Sequence, residues 1–146
     1  MRSNVPIKIA MAKKDANQEE CARWLKQAKH DLRIARVTAR EGAHDWACFL
    51  CQQAAEKALK AYLYLVGHRA VTGHSIWMLL KRCAAENSTF NRIGKVKRLD
   101  EVYITSRYPN GLQEGTPQEF YTDKDSKECL EMADLTIRTV ERLSQK

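Results

Sequence analysis

The stretch HDWACFLCQQAAEKALKAYLYLV, residues 44–66, constrains the fold of this chain more than any other. It contains neither Gly nor Pro and is rich in Ala, Leu, Lys and Glu, all strong helix formers. As a helix it would run roughly 35 Å. Asp45 is placed to cap its start. Apolar side chains cover most of its circumference, leaving a narrow polar strip of Gln52, Gln53, Glu56 and Lys60, with Lys57 at the border. A helix that is apolar on most sides must be enclosed by others. The expected architecture is therefore a helical bundle with this segment at its centre.

The flanking sequence supplies the enclosing helices. In residues 19–41, Cys21, Leu25, Ala28, Leu32, Ala35 and Ala39 recur at steps of three and four, which marks one buried stripe. A second stripe carries Arg23, Lys26, Lys29, Arg33, Arg36 and Arg40. It is either a solvated face or an electrostatic rail for phosphates. Gly42 suits the helix end. Residues 1–18 are polar without sustained period and read as a flexible tail or linker, leaving 19–146 as the domain proper.

After a loop at 67–74, a short third helix opens at His74 or Ser75, with Ile76, Leu79, Leu80 and Cys83 inward. A fourth is expected from Asn91 to Thr105, with Ile93, Val96, Leu99 and Tyr103 inward. It must stop near Arg107, because Pro109 disfavours helical geometry at Tyr108. Residues 109–122 are an irregular connection. A last helix follows, capped by Thr122 or Asp123, with Cys129, Leu130, Ala133, Ile137 and Val140 inward. The reading is all-α: an antiparallel, up-and-down bundle of about five helices.

At 146 residues the chain suits one domain that needs no metal or disulfide to hold its core. No apolar run is long enough to span a membrane, and the N-terminus has no signal-peptide core. The five cysteines are odd in number and scattered, which fits a reducing, cytoplasmic setting better than a disulfide framework. A net charge of +7 favours anionic partners such as nucleotides, RNA or acidic protein surfaces, or serves solubility alone.

Three constellations could carry chemistry. Cys48-x-x-Cys51 has the spacing of a zinc half-site or a redox dithiol. No second ligand pair accompanies it, however, and it lies inside a helix, so core packing is the expected role. Arg69-x4-His74 pairs a cation with a group titrating near neutrality, as cleavage of a phosphodiester requires. Arg107 leaves a helix end between Tyr103 and Tyr108, where it could bind phosphate bidentately while a tyrosine stacks on a base. For His74 and Arg107, capping or packing are the bland alternatives. No P-loop, GxGxxG, HExxH or GxSxG pattern occurs.

The order of motifs resembles the HEPN family, the higher eukaryote and prokaryote nucleotide-binding domain. The residues that carry the likeness are Trp24-Leu25-x-Gln27-Ala28, the block Gln52-Gln53-Ala54-Ala55-Glu56-Lys57-Ala58-Leu59-Lys60-Ala61, then His74-Ser75-Ile76 and Arg107-Tyr108-Pro109. The opening EECARWLKQAKHDL is also similar to the sacsin C-terminal type of HEPN domain, found in a chaperone-like protein. The resemblance implies a helical bundle that forms a homodimer. It implies a non-catalytic module binding ATP or GTP and needing no cofactor, with Lys57, Lys60, Arg107, Tyr108 and Arg33 as nucleotide-contacting candidates. The alternative it implies is a metal-independent RNase of toxin type using Arg69 and His74, or a partner of a small nucleotidyltransferase.

Overall fold

The structure, a computed structural model, describes residues 6–145. Its long elements are α1 (Ile7–Arg40), α2 (His44–Leu65), α3 (Ile76–Glu86) and α6 (Asp123–Ser144). Between α3 and α6 lie a segment of 3₁₀ geometry (Ser88–Glu101), one α-turn, α4 (Val102–Thr105), a 3₁₀ turn at Pro109–Gly111, and the short α5 (Pro117–Phe120). No strand occurs among the described residues, as the all-helical reading requires.

Helix α2 is the hub. It packs along α1 and α6 and meets α3, α4 and the 3₁₀ segment on its remaining sides. Its inward face is largely alanine: Ala47, Ala54, Ala55, Ala58 and Ala61 are fully buried, opposite Ala28 and Ala35 of α1. Small facing residues allow helix axes to approach toward the short end of the ~8–10 Å range. Leu59, Leu63, Ile76, Phe90 and Val140 fill the space beyond, all fully buried. Each such side chain contributes about 1.5–3 kcal/mol through its removal from water. Cys48 and Cys51 lie fully within this core. The Cys48 thiol is pushed far up by a hydrogen bond with Cys129 and by burial, and the Cys51 thiol by burial.

The connection between α1 and α2 turns on Gly42, whose φ is +84°. Its N–H donates to the Ala39 carbonyl (3.0 Å) and that of Ala43 to the Thr38 carbonyl (3.1 Å). These two bonds satisfy the last free carbonyls of α1 and reverse the chain in three residues. Asp45 lies in the first turn of α2 and makes no capping bond, so the expected cap is absent. Ser75 does cap α3, its hydroxyl accepting from the Met78 N–H (3.2 Å), and Thr122 with Asp125 forms a reciprocal capping box at α6.

Two expectations are corrected. Residues 7–18 are the opening turns of α1, not a tail, although most of them are exposed, with Ile7 78% accessible. Residues 1–5 of the expected tail lie outside the described residues. AMAKKDANQEE contains no helix breaker, and extending an existing helix costs far less than starting one. The fourth helix is the second correction. Its apolar residues Phe90, Ile93, Val96, Leu99 and Val102 are all buried and stand three apart. A step of three lines one face of a 3₁₀ helix, whereas on an α-helix the row would drift around the axis. The segment adopts 3₁₀ geometry with a kink at Ile93 (φ −110°, ψ 27°).

Candidate functional site

The polar strip of α2 faces the His74 loop, and each of its members has a defined partner. Gln53 Nε2 donates to Gln52 Oε1 (2.8 Å), which orients the Gln52 amide. Gln52 Nε2 donates to the His74 carbonyl (2.9 Å). Lys60 Nζ donates to Glu56 Oε2 (3.2 Å), and Glu56 Oε1 bonds His74 Nδ1 (2.9 Å). The Lys60 and Glu56 side chains are only 7% and 5% exposed, yet the imidazole they support is 60% exposed. A carboxylate already paired with lysine accepts rather than donates, so Nδ1 carries the proton and Nε2 presents its lone pair outward.

The loop is held from the far side as well. Gly73 precedes His74 with φ +95°, a conformation that other residues resist. Beyond it, the Asp100 carboxylate accepts from the N–H groups of Ile76 (2.6 Å) and Trp77 (3.0 Å) and from the Ser75 hydroxyl (3.3 Å). One side chain from the 3₁₀ segment thus satisfies the unpaired amides that open α3.

Next to the imidazole stands an aromatic and cationic cluster. Tyr103 stacks on His74, with ring centroids 5.2 Å apart and planes 19° from parallel. The Arg107 guanidinium lies 4.7 Å from the same tyrosine ring, 4.3 Å from Phe49 and 5.1 Å from Tyr108. Its Nε donates to the Tyr103 carbonyl (2.9 Å), and its two terminal nitrogens make no hydrogen bond among the described residues. They are free for an oxyanion.

The structure separates the residues that linear spacing had paired. Arg69 turns away from His74, donating to Asn17 on α1 (2.6 Å) and to the His68 carbonyl (3.0 Å). The cation near His74 is Arg107, through Tyr103. The nucleotide candidates do not converge either. Lys60 is buried against Glu56, and Lys57 pairs with Asp31, which also accepts from Gln27 Nε2 (2.9 Å). Arg33 is exposed on α1 and bonds His30 (2.8 Å). Of that set Arg107 and Tyr108 stand in the cluster beside His74, and Lys60 reaches it only through Glu56. Among the described residues there is no group of His, Cys, Asp and Glu arranged to hold a metal, and no helix long and apolar enough to cross a membrane.

A sequence profile described as the HEPN domain matches residues 21–143. The chain belongs to the HEPN family. Solved structures share its fold. TT1696 from Thermus thermophilus is 35% identical with a TM-score of 0.79, the match covering 84% of this chain and 97% of that one. ST0689, an archaeal HEPN homologue, is 38% identical with a TM-score of 0.71, covering 86% and 98%. A Methanocaldococcus jannaschii relative named "Putative toxin MJ1304" is 29% identical, over 80% of this chain and 83% of its own length. In this HEPN chain the polar strip, the His74 loop and the Arg107 turn are three of the four family-like blocks, and the fold brings them to one place.

Sequence reasoning named His74, Arg107 and the strip but did not connect them. The repeat of four between Gln52, Glu56 and Lys60 was the available signal. For Asp100 and Phe49 the sequence offered none.

Proposed function

We propose that this HEPN protein is an endoribonuclease of toxin type, with His74 as the proton-transfer group and Arg107 as the phosphate-holding cation. The observation that carries the reading is an exposed imidazole fixed by a buried, lysine-paired carboxylate, beside an arginine whose terminal nitrogens are free. His74 Nε2 removes the proton from a ribose 2′-hydroxyl. The 2′-oxygen then attacks phosphorus and the bond to the 5′-oxygen breaks. His74 returns the proton to that oxygen, leaving a 2′,3′-cyclic phosphate and a 5′-hydroxyl. Arg107 balances the charge on the non-bridging oxygens. The carboxylate that serves this imidazole is committed to Lys60, so the route is built on side chains. The toxin name of the archaeal relative supports the reading.

Purified protein in EDTA should cleave single-stranded RNA and leave cyclic phosphate ends. His74→Ala should lower the rate on the order of a hundredfold or more. Arg107→Ala should also slow it, with both folds checked by circular dichroism. Intact RNA with wild-type protein, or undiminished cleavage by His74→Ala, would refute the reading.

A second reading is the non-catalytic module binding ATP or GTP, favoured by the tyrosine and phenylalanine rings around Arg107, on which a base could stack. Calorimetric titration with each nucleotide separates it from the first. In either case the exposed Trp46, Ile104 and Tyr108 around the site form an apolar rim suited to a second copy of the chain or to a nucleotidyltransferase partner. Light scattering of the isolated protein distinguishes the two: a dimer supports the former. One relative bears a toxin name and one a HEPN name, and none of those described a chaperone name, so the sacsin-like context receives no support.

A further inference from the structure

Helix α3 leaves the His74 site and the 3₁₀ segment returns to it, and an open groove of about 660 Å³ runs between them. Its walls carry Lys81, Lys95, Lys97 and Arg98, and no carboxylate lines it. None of the four cations is in an ion pair among the described residues. Trp77 stands at the end nearest the site, 49% exposed, with Lys81 Nζ 4.4 Å from its ring centroid. Asp100 ties the two walls together at that end, through the Trp77 N–H. His74 lies three residues before Trp77, and its stacking partner Tyr103 three after Asp100.

The other basic surface behaves differently. On α1, Arg23 pairs with Glu20, Lys29 with Glu141 and Arg36 with Asp134. Much of that charge is neutralised within the molecule, while the groove keeps its charge for something outside.

We infer that this groove is the track for single-stranded RNA flanking the bond presented to His74. The inference rests on the reading of His74 as an RNA site. Unpaired cations along a channel follow a phosphate backbone, and an exposed indole accepts a stacked base. An acidic protein surface would use the cations but has little use for an isolated tryptophan face. Gly94 allows the charge to be reversed locally. A Cβ at that position meets nothing within 4 Å, so the backbone has room for Gly94→Glu, which adds an anion to the groove.

The test uses the full chain carrying His74→Ala, so that binding is read apart from cleavage, and a fluorescein-labelled single-stranded RNA of mixed sequence. Lys81→Glu with Lys95→Glu, and Gly94→Glu alone, should each weaken binding at least tenfold. The dependence of log affinity on log salt should flatten by about 0.7 for each phosphate no longer neutralised. Trp77→Ala should weaken binding on the order of tenfold with the salt slope unchanged. Arg36→Gln on α1 serves as the control and should change neither. Affinities unaltered by the groove variants would overturn the inference. So would poly-aspartate binding as tightly as RNA of equal charge with no loss in Trp77→Ala, because that outcome marks a protein dock. If wild-type protein binds RNA through the groove yet never cuts it, the track stands and the nuclease reading falls. If cutting by His74 proceeds with the same KM in the groove variants, the reverse holds.

Discussion

Helix α2 carries two lysine–carboxylate pairs one turn apart, and they do opposite things. Lys57 reaches across to Asp31 of α1, where Gln27 completes the set. The Lys57 side chain is 23% exposed, and that pair ends in itself. Lys60 holds Glu56 almost wholly out of water, and Glu56 extends one more bond to an exposed imidazole. The first pair fastens two helices. The second transmits a buried constraint to the surface. Burying a charge pair is rarely a net gain in stability over apolar packing. A pair that is both buried and connected to an exposed titratable ring is better explained by what it orients.

The widest divergence between the pairs should appear in cleavage. Glu56→Gln keeps the shape but removes the charge that fixes the ring tautomer. RNA cleavage should fall on the order of a hundredfold. Asp31→Asn should leave cleavage within about twofold, since its pair does not reach the site. Equal losses in both would erase the distinction.

Stability should separate them next. Lys60→Met leaves Glu56 buried without its cation and should cost about 3 kcal/mol in urea unfolding. Lys57→Met should cost less, about 1–2 kcal/mol, because Lys57 is itself partly exposed and Asp31 keeps the Gln27 hydrogen bond. The smallest effect should come from Gln27→Ala, about 0.5–1 kcal/mol, which removes one hydrogen bond to Asp31 from an exposed position. A larger loss there would mean that the Asp31 set is more than a fastening.

A control away from both pairs, in the buried cysteines of four helices, sharpens the picture. All five cysteines are buried, and burial pushes the Cys83 thiol up to about 12. Native protein should therefore leave a thiol reagent at pH 8 unconsumed until denaturant is added, since the thiolate is the reactive form.

Much of this was legible in the sequence. Helix α2 declared itself by composition, and α1 and α6 by their stripes, because burial on one side writes a period into the chain. The 3₁₀ segment was legible too, in the step of three from Phe90 to Val102. It is easily taken for an α-helix when Tyr103 is placed inward and the even spacing overlooked. The site was only half legible. Arg69 and His74 are close in sequence, but one side chain is drawn to α1 and the other to α2. Arg107 is far in sequence and near in space. Contacts across a fold depend on how loops leave helix ends, and no period reports that. The basic stripe of α1 was correctly seen, but its partners Asp134 and Glu141 sit on α6 and could not be assigned from α1 alone.

The Asp100 clamp bears on time as much as on place. Amides in the first turn of a helix have no intrahelical acceptor and ordinarily trade their hydrogens with water quickly. Those of Ile76 and Trp77 are bound to a carboxylate contributed from another element. They should exchange as slowly as amides in the middle of α3, and lose that protection together in Asp100→Ala. The junction between loop and helix, usually a hinge, is here a fixed point. The rate at which the His74 loop can open is then governed by a residue that never meets the substrate.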